Sequence, residues 1–342
     1  MPGIHDRASA VPNDHPNATL HGAWVRIGRI QPDAAREMLQ HVPMMRARDL
    51  GVVTGGRTGE HNAITDVPGV RVGHTTVVDP PDIHTGVTAI VPDGTPLPAG
   101  LFVGNGHGKL IGATQLAELG VLESPIVLTA TLSAFRAADA LVTWLMARSD
   151  ALSLNPVVGE CNDGYLSDIR ARPITEAHVL SALDGAAPGP VAEGCVGAGT
   201  GTGALGYKAG IGTSSRIVDG ATLGVLVQAN FGGTLDVGSC MLIAATDAPL
   251  DARQLTRLSR RLVYGMARVG ANYSHGSGDY GIAFSTTTGQ LPPKDADLSP
   301  LFAATLDAVE EAVLNSLAAA TTTTGFQGRT LETIPPDQLR QL

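Results

Sequence analysis

Glycine supplies 42 of the 342 residues, and the glycines gather in short clusters instead of recurring at a fixed period. That pattern excludes a collagen-like repeat and points to a fold rich in tight turns and close backbone approaches. With aromatics at only 4%, small apolar side chains must do most of the packing. A hydrophobic content of 43% against 16% charged is ample for one large domain or two modest ones.

The charge balance narrows the partners. A formal net charge of -9 without any Lys or Arg run disfavours nonspecific binding to nucleic acid or to an anionic membrane. Cys161, Cys195 and Cys240 are odd in number, widely spaced and lack a C-x-x-C pair, which argues against a disulfide framework and a structural zinc site. Residues 1–17 are polar with no apolar core, and no apolar stretch is long enough to span a bilayer. The expectation is a cytoplasmic protein.

Residues 1–45 read as an irregular extension with one helix around 33–39, and the folded body begins near Arg46. Residues 70–78, 86–91 and 126–132 have strand composition. Ser133 is a candidate cap for a helix with Phe135, Ala138, Leu141, Val142 and Leu145 on one face. Residues 240–245 read as a buried strand, followed by a helix with Leu255, Leu258, Leu262 and Met266 on one side and a stop at Gly270. Residues 280–287 are again strand-like. Ser299-Pro300 opens a last helix striped by Leu306, Val309, Val313, Leu314 and Leu317. Such a mixture supports a layered α/β or α+β domain.

Two glycine-rich segments invite a nucleotide-binding reading and fail it. Gly201-Thr-Gly-Ala-Leu-Gly206 fits G-x-G-x-x-G, but small residues precede it where a strand is needed, and no ribose-binding acid follows. Gly104-Asn-Gly-His-Gly-Lys109 is one residue short of a P-loop and continues into Leu110, with no hydroxyl for magnesium. Both read as turns. The ten histidines show no i, i+4 pair or adjacent carboxylate motif, so no metal is expected. Gly276-Ser277-Gly278 lacks the outer glycine spacing of a nucleophile elbow.

The junction Val237-Gly-Ser-Cys-Met-Leu-Ile243 has the makings of an autoproteolytic site. Gly238 offers little obstruction at the leaving carbonyl, and the Ser239 hydroxyl can attack that carbonyl to give an ester that water hydrolyses. The α-amine freed on Ser239 would have a pKa of roughly 7.7–8.0, suited to act as general base on its own hydroxyl. Taken alone, a Gly-Ser pair before a strand is also an ordinary turn entering a β-strand.

From Arg46 onward the chain resembles the L-aminopeptidase/D-Ala-esterase/amidase family, which includes the β-peptidyl aminopeptidases. The resemblance is carried by Arg46-Ala-Arg-Asp-Leu50, Ile64-Thr-Asp-Val-Pro-Gly-Val-Arg-Val-Gly-His74, Gly104-Asn-Gly-His-Gly-Lys109 and Gly159-Glu-Cys-Asn-Asp-Gly-Tyr-Leu166. It continues through Lys208-Ala-Gly-Ile-Gly-Thr-Ser-Ser-Arg216, Val227-Gln-Ala-Asn230, Gly238-Ser239, Ala245-Thr-Asp-Ala-Pro-Leu250, Gly276-Ser-Gly-Asp279 and Ala283-Phe-Ser-Thr286.

It implies a four-layer αββα sandwich over 46–342, cut at Gly238-Ser239 into an α chain of 1–238 and a β chain of 239–342. It also implies a homo-oligomer, tetramer or larger, of such pairs. By position, Ser239 corresponds to the nucleophile, Ser277 and Asp279 to the polar pair that orients the amine and relays protons, and Asn230 to the oxyanion donor. Tyr165 corresponds to a phenol lining the site, and Glu160 is the candidate anchor for the substrate's ammonium. The plain alternative for Glu160 is an internal salt bridge, and for Asn230 a turn residue ahead of Gly232-Gly233.

The chain departs from the family in a short segment between Asn230 and Ser239 and in its extension. The resulting expectation is a cofactor-free serine aminopeptidase or amidase acting on short peptides, amino-acid amides or esters through an acyl-enzyme. The competing readings are a self-cleaving acyltransferase of the ornithine acetyltransferase type, against which the Gly-Ser junction speaks, and an unprocessed inactive relative.

Overall fold

The computed structural model describes residues 45–52, 55–232 and 238–342. The extension, apart from Met45, and the helix expected at 33–39 lie outside the described residues, as does most of the segment between Asn230 and Ser239.

The strands are β1 (Val70–Asp79), β2 (Ile83–Pro92), β3 (Leu97–Gly106), β4 (Leu110–Ile111), β5 (Val121–Leu122), β6 (Ile126–Ala130) and β7 (Val157–Cys161). They continue as β8 (Gly203–Ala204), β9 (Tyr207–Lys208), β10 (Ile211–Val218), β11 (Ala221–Asn230), β12 (Ser239–Thr246) and β13 (Gly278–Ser285), with a terminal ribbon of β14 (Thr323–Thr324) and β15 (Thr330–Leu331). The helices that build the layers are α1 (Ala113–Leu119), α2 (Ala134–Met146), α3 (Glu176–Asp184), α4 (Ala252–Gly265) and α5 (Ser299–Ala318).

One mixed sheet runs β1-β2-β6-β7-β4 and a second runs β10-β11-β12-β13-β3-β5. Three apolar clusters show how they stack. Ile90, Ile126, Leu128 and Val157 of the first sheet meet Leu226, Met241, Ile243 and Ile282 of the second. On the outer face of the first sheet, Val87, Ala89, Val127 and Val158 pack against Ala137, Leu141, Val179 and Leu183 of α2 and α3. On the outer face of the second, Val225, Val227, Leu242 and Ala244 pack against Leu255, Leu258, Leu262, Val309 and Val313 of α4 and α5. The architecture is a four-layer αββα sandwich.

The site-bearing strand shows why the sequence reads as it does. Along β12, Met241, Ile243 and Ala245 enter the inter-sheet core while Cys240, Leu242 and Ala244 enter the core beneath the helices. A strand buried on both faces must be apolar throughout, and each buried Leu or Ile contributes about 1.5–3 kcal/mol.

Some local expectations need correction. Phe135 is 67% exposed; the buried face of α2 is made by alanines, Leu141 and Leu145. Ser133 makes no capping bond, because a 3-10 turn at Thr131–Ser133 runs directly into α2. Ser299 is likewise already helical (φ -59, ψ -41), since a 3-10 turn over Asp295–Leu298 leads into α5. Leu306 is only half-buried. The Gly201–Gly206 cluster is a turn, as read: β8 and β9 pair across Leu205 and Gly206, whose φ values are +55° and +88°. Paired positive φ values are the signature of the tight hairpin turns that favour glycine.

Candidate active site

Ser239 is the first residue of β12 and lies between two strands of the same sheet. It sits opposite Asn230 in the antiparallel pair with β11 and opposite Gly278 in the parallel pair with β13. Directly opposed residues point to one face, so the Asn230 and Ser239 side chains share a face. Both are almost fully buried. The Ser239 hydroxyl donates to the Gly238 carbonyl oxygen at 2.6 Å, and the Gly278 backbone N–H donates to that same oxygen at 3.2 Å.

Gly278 cannot carry a side chain. A Cβ there would stand 2.6 Å from the Cα of Gly108 and 3.3 Å from Ser239 Oγ. Gly108 in turn lies against the carboxylate of Glu160, whose Oε1 would be 3.2 Å from a Gly108 Cβ. Gly278 and Gly108 thus link, by close contact, the surroundings of the Ser239 hydroxyl to those of Glu160. The glycine cluster at 104–109 earns its sequence here, as a close approach of β3's end to β13.

Ser277 and Asp279 flank Gly278. The Ser277 hydroxyl donates to Asp279 Oδ1 at 2.8 Å, and Ser277 Oγ would lie 3.4 Å from a Cβ on Gly238. Asp279 is 1% exposed, and among the described residues its Oδ2 accepts no hydrogen bond. Burial pushes the Asp279 carboxyl up from the ordinary carboxylate range, and the Ser277 hydroxyl and Cys240 backbone offset this only in part. A buried carboxylate oxygen without a partner is costly unless a cation or proton arrives to meet it.

Asn230 holds its amide with two backbone groups. Its Oδ1 accepts from the Gly203 N–H at 3.2 Å and its Nδ2 donates to the Asn162 carbonyl at 3.0 Å. That fixes the amide's orientation and leaves the second Nδ2 hydrogen for another acceptor. Asn230 ends β11; it is not a turn residue.

Glu160, near the end of β7, is 1% exposed and well supplied with donors. Oε1 accepts from the Lys109 backbone N–H at 2.7 Å and pairs with Lys109 Nζ at 3.3 Å, while Oε2 accepts from the Thr131 hydroxyl. The internal ion pair weighed from sequence is thus present, but its lysine is 38% exposed and can swing away. Tyr165 stands apart: its ring lies 5.5 Å from the Arg329 guanidinium, and among the described residues no hydrogen bond ties its hydroxyl to the Ser239 cluster.

The neighbouring thiols are no rivals to Ser239. Cys161 Sγ donates toward the Ser239 carbonyl at 3.4 Å, and burial pushes the thiols of both Cys161 and Cys240 well up. Neither is a thiolate at neutral pH. Among the described residues no three His, Cys, Asp or Glu side chains gather as a metal site.

Sequence reasoning passed over Lys109 and Thr131 as partners of Glu160, and Asn162 as the group that orients Asn230. Those partners are tens of residues apart in the chain, so only the fold brings them together. Residues 62–331 match the family description "Peptidase family S58". The chain belongs to peptidase family S58.

Within S58, it is 38% identical to "Beta-peptidyl aminopeptidase BapA" of Sphingosinicella microcystinivorans, over 87% of this chain and 91% of that protein. Among solved structures, a Burkholderia sp. beta-aminopeptidase superposes with a TM-score of 0.82 at 38% identity, covering 87% of this chain and 98% of that one. The L-aminopeptidase D-Ala-esterase/amidase of Ochrobactrum anthropi, described as a prototype for the serine aminopeptidases and a variant of the Ntn hydrolase fold, superposes with a TM-score of 0.80 at 38% identity. That match covers 86% of this chain and 97% of the other. This S58 member is accordingly a hydrolase of the Ntn type, an aminopeptidase.

Proposed function

We propose that this S58 aminopeptidase matures by cutting its own Gly238–Ser239 bond, and that the freed Ser239 then removes N-terminal residues from short peptides, amino-acid amides or esters. The observation that carries the reading is the convergence of the Ser239 hydroxyl and the Gly278 N–H on one carbonyl oxygen, that of Gly238.

The maturation step follows from that geometry. Ser239 Oγ adds to the Gly238 carbonyl carbon, and the Gly278 N–H stabilises the negative charge that grows on the oxygen. Collapse breaks the C–N bond, the proton given up by the Ser239 hydroxyl passes to the leaving nitrogen, which departs as an amine, and the acyl group stays on Oγ as an ester. Water hydrolyses the ester, giving an α chain of 1–238 and a β chain of 239–342.

The bond that is cut adjoins Ser277, whose Oγ would lie 3.4 Å from a Cβ on Gly238 and whose hydroxyl donates to Asp279. Asp279 and Ser277 hold and orient the new amine so that it takes the proton from its own hydroxyl during attack on a substrate carbonyl. Asn230 Nδ2 supplies its remaining hydrogen to the oxyanion; one such donor is worth about 2.7–4 kcal/mol in related chemistry. Glu160 receives the substrate's ammonium in place of Lys109 Nζ. Tyr165 acts at the rim of the site. The names of the relatives support N-terminal L-, D- or β-residues as substrates. Assembly as a homo-oligomer of α/β pairs completes the proposal. No helix of the described residues is long and apolar enough to cross a membrane, and with the sparse cysteines this supports a cytoplasmic setting.

Intact-mass analysis under denaturing conditions tests the reading. Two species that divide between Gly238 and Ser239 are expected, and Ser239→Ala should give one uncut, inactive chain. A processed and active Ser239→Ala variant would sink the assignment.

A further inference from the structure

A cleft of about 500 Å³ opens beside the proposed site, lined by Thr131, Leu132, Asn162, Ile169 and Arg170. Two of its lining residues are each one hydrogen bond from the proposed machinery. Thr131 donates to Glu160, and the Asn162 carbonyl accepts from Asn230. A substrate with its ammonium at Glu160 and its carbonyl at Asn230 has this cleft as adjoining space for the part that leaves.

The chemistry of the rim is unusual for an acidic protein. Arg136 donates to the carbonyls of Arg172 and Ile174 at 2.8 and 2.7 Å, and Arg172 Nε donates to the Leu132 carbonyl at 3.2 Å. Neither is paired with a carboxylate among the described residues. The exposed guanidinium of Arg170 makes no hydrogen bond or ion pair there at all. The nearby Asp168 carboxylate is engaged by the Arg170 backbone N–H at 3.0 Å. Three arginines thus crowd one edge, on a chain of net charge -9, and one of them faces the cleft unengaged.

We propose that Arg170 is a specificity-determining residue that binds the free α-carboxylate of the leaving residue, so that the preferred substrates are dipeptides with an unblocked C-terminus. This rests on the reading of Glu160, Asn230 and Ser239 given above. Guanidinium matches a carboxylate with two parallel N–H···O bonds, and the spent charges of Arg136 and Arg172 keep the rim positive. The apolar Leu132 and Ile169 between the two ends accommodate the leaving residue's body. Glu160 and Arg170 then read opposite termini of one short zwitterion.

The test compares kcat/KM for Ala-Gly, Ala-Gly-amide and Ala-Glu-amide within each protein. Wild-type enzyme should favour Ala-Gly over Ala-Gly-amide by tenfold or more, with the preference shrinking as salt is raised. Arg170→Ala should bring the ratio close to one, and Arg170→Lys should restore part of it. A wild-type ratio near one, or a ratio unchanged in Arg170→Ala, overturns the inference. Equal preference for Ala-Gly and Ala-Glu-amide would overturn its assignment to the α-carboxylate and give the rim to acidic side chains. Alanine p-nitroanilide separates the two levels of argument: if the wild type hydrolyses it yet shows no carboxylate preference, only the Arg170 inference falls. If the wild type hydrolyses neither it nor β-alanine p-nitroanilide, the Ser239 reading falls and takes this one with it.

Discussion

The backbone N–H of Gly278 donates to the carbonyl oxygen of Gly238 at 3.2 Å. The bond crosses from the first residue of β13 to the residue ahead of Ser239. It orients the carbonyl that Ser239 touches and draws electron density away from its carbon, which is the direction that favours attack.

That bond exists because residue 278 has no side chain. Gly278→Ala would place a methyl 2.6 Å from Gly108 and 3.3 Å from Ser239 Oγ, forcing β13 and the 104–109 segment apart. Processing should slow by about 100-fold or more, the loss expected when a single oxyanion donor is misplaced. The appearance of the cut chains with time on a denaturing gel measures it, and wild-type processing by Gly278→Ala would show that the close approach is immaterial.

Asp279→Asn removes the charge that awaits the Ser239 amine while keeping the shape. Aminopeptidase kcat/KM should fall by about 100-fold or more. The pH profile carries a second signature. Burial raises the Asp279 pKa, so wild-type activity should fail on the acid side at a higher pH than an ordinary carboxylate would give. The Ser239 amine must itself be unprotonated to act as base and sets an acid limb of its own, so in the variant only the Asp279 contribution should disappear. An unchanged profile would assign the limb wholly to the amine.

Lys109→Met tests whether the lysine competes with substrate for Glu160. Glu160 is buried but keeps the Lys109 backbone N–H and the Thr131 hydroxyl, so stability should fall by no more than the roughly 1.5–3 kcal/mol of one hydrogen bond to a charged group. KM for free-amine substrates should fall several-fold. A rise in KM would mean that the lysine assists binding.

Asp163 sits next to this site, 3% exposed, and burial pushes it from 3.8 to about 7, with the Thr85 hydroxyl offsetting only part. The folded state therefore keeps a proton that the unfolded state releases. Its stabilisation is full below pH 3.8 and is lost as pH rises toward about 7. His74, lowered to about 4 by burial, works in the opposite sense over an overlapping range, so the wild-type curve alone is uninformative. The stability difference between wild type and Asp163→Asn isolates the term. It should move against the wild type by about 1.4 kcal/mol for each pH unit climbed within that window. Urea melts at pH 5, 6, 7 and 8, made in the uncut Ser239→Ala background so that unfolding is reversible, read it, and a constant difference would show that Asp163 is ionised in the fold.

The parts of this molecule that were legible in the sequence are those governed by local pattern. The run from Cys240 to Ala245 announced a buried strand, and Leu255, Leu258 and Leu262 announced the helix that covers it. The resemblance of ordered motifs carried the αββα architecture and the cluster of Ser239, Asn230, Ser277 and Asp279. What remained hidden depends on contacts between distant segments. Nothing near Glu160 in the chain signals Lys109 or Thr131, and nothing near Gly278 signals Gly108. Phe135 misled because the buried stripe of α2 is phased on Ala134, Ala137, Ala138, Leu141 and Leu145, which turns position 135 outward. Asp163 and the arginine rim were missed for the same reason: their significance lies in burial and in neighbours contributed by other loops.

The strand order of the second sheet has one more consequence. β12 and β13, which follow the proposed cut, lie between β11 and β3, which precede it, and α4 and α5 roof them all. Each product chain would hold only interleaved slats of a shared sheet, with the new amino terminus gripped from both sides by neighbouring strands. Severing the bond would leave the native body intact yet change its memory. The uncut chain can find its sheet by a first-order search, whereas the cut one, once denatured, must rebuild it by a second-order encounter between two incomplete halves. Maturation would then be a ratchet, leaving an enzyme that keeps its shape and loses its way back to it.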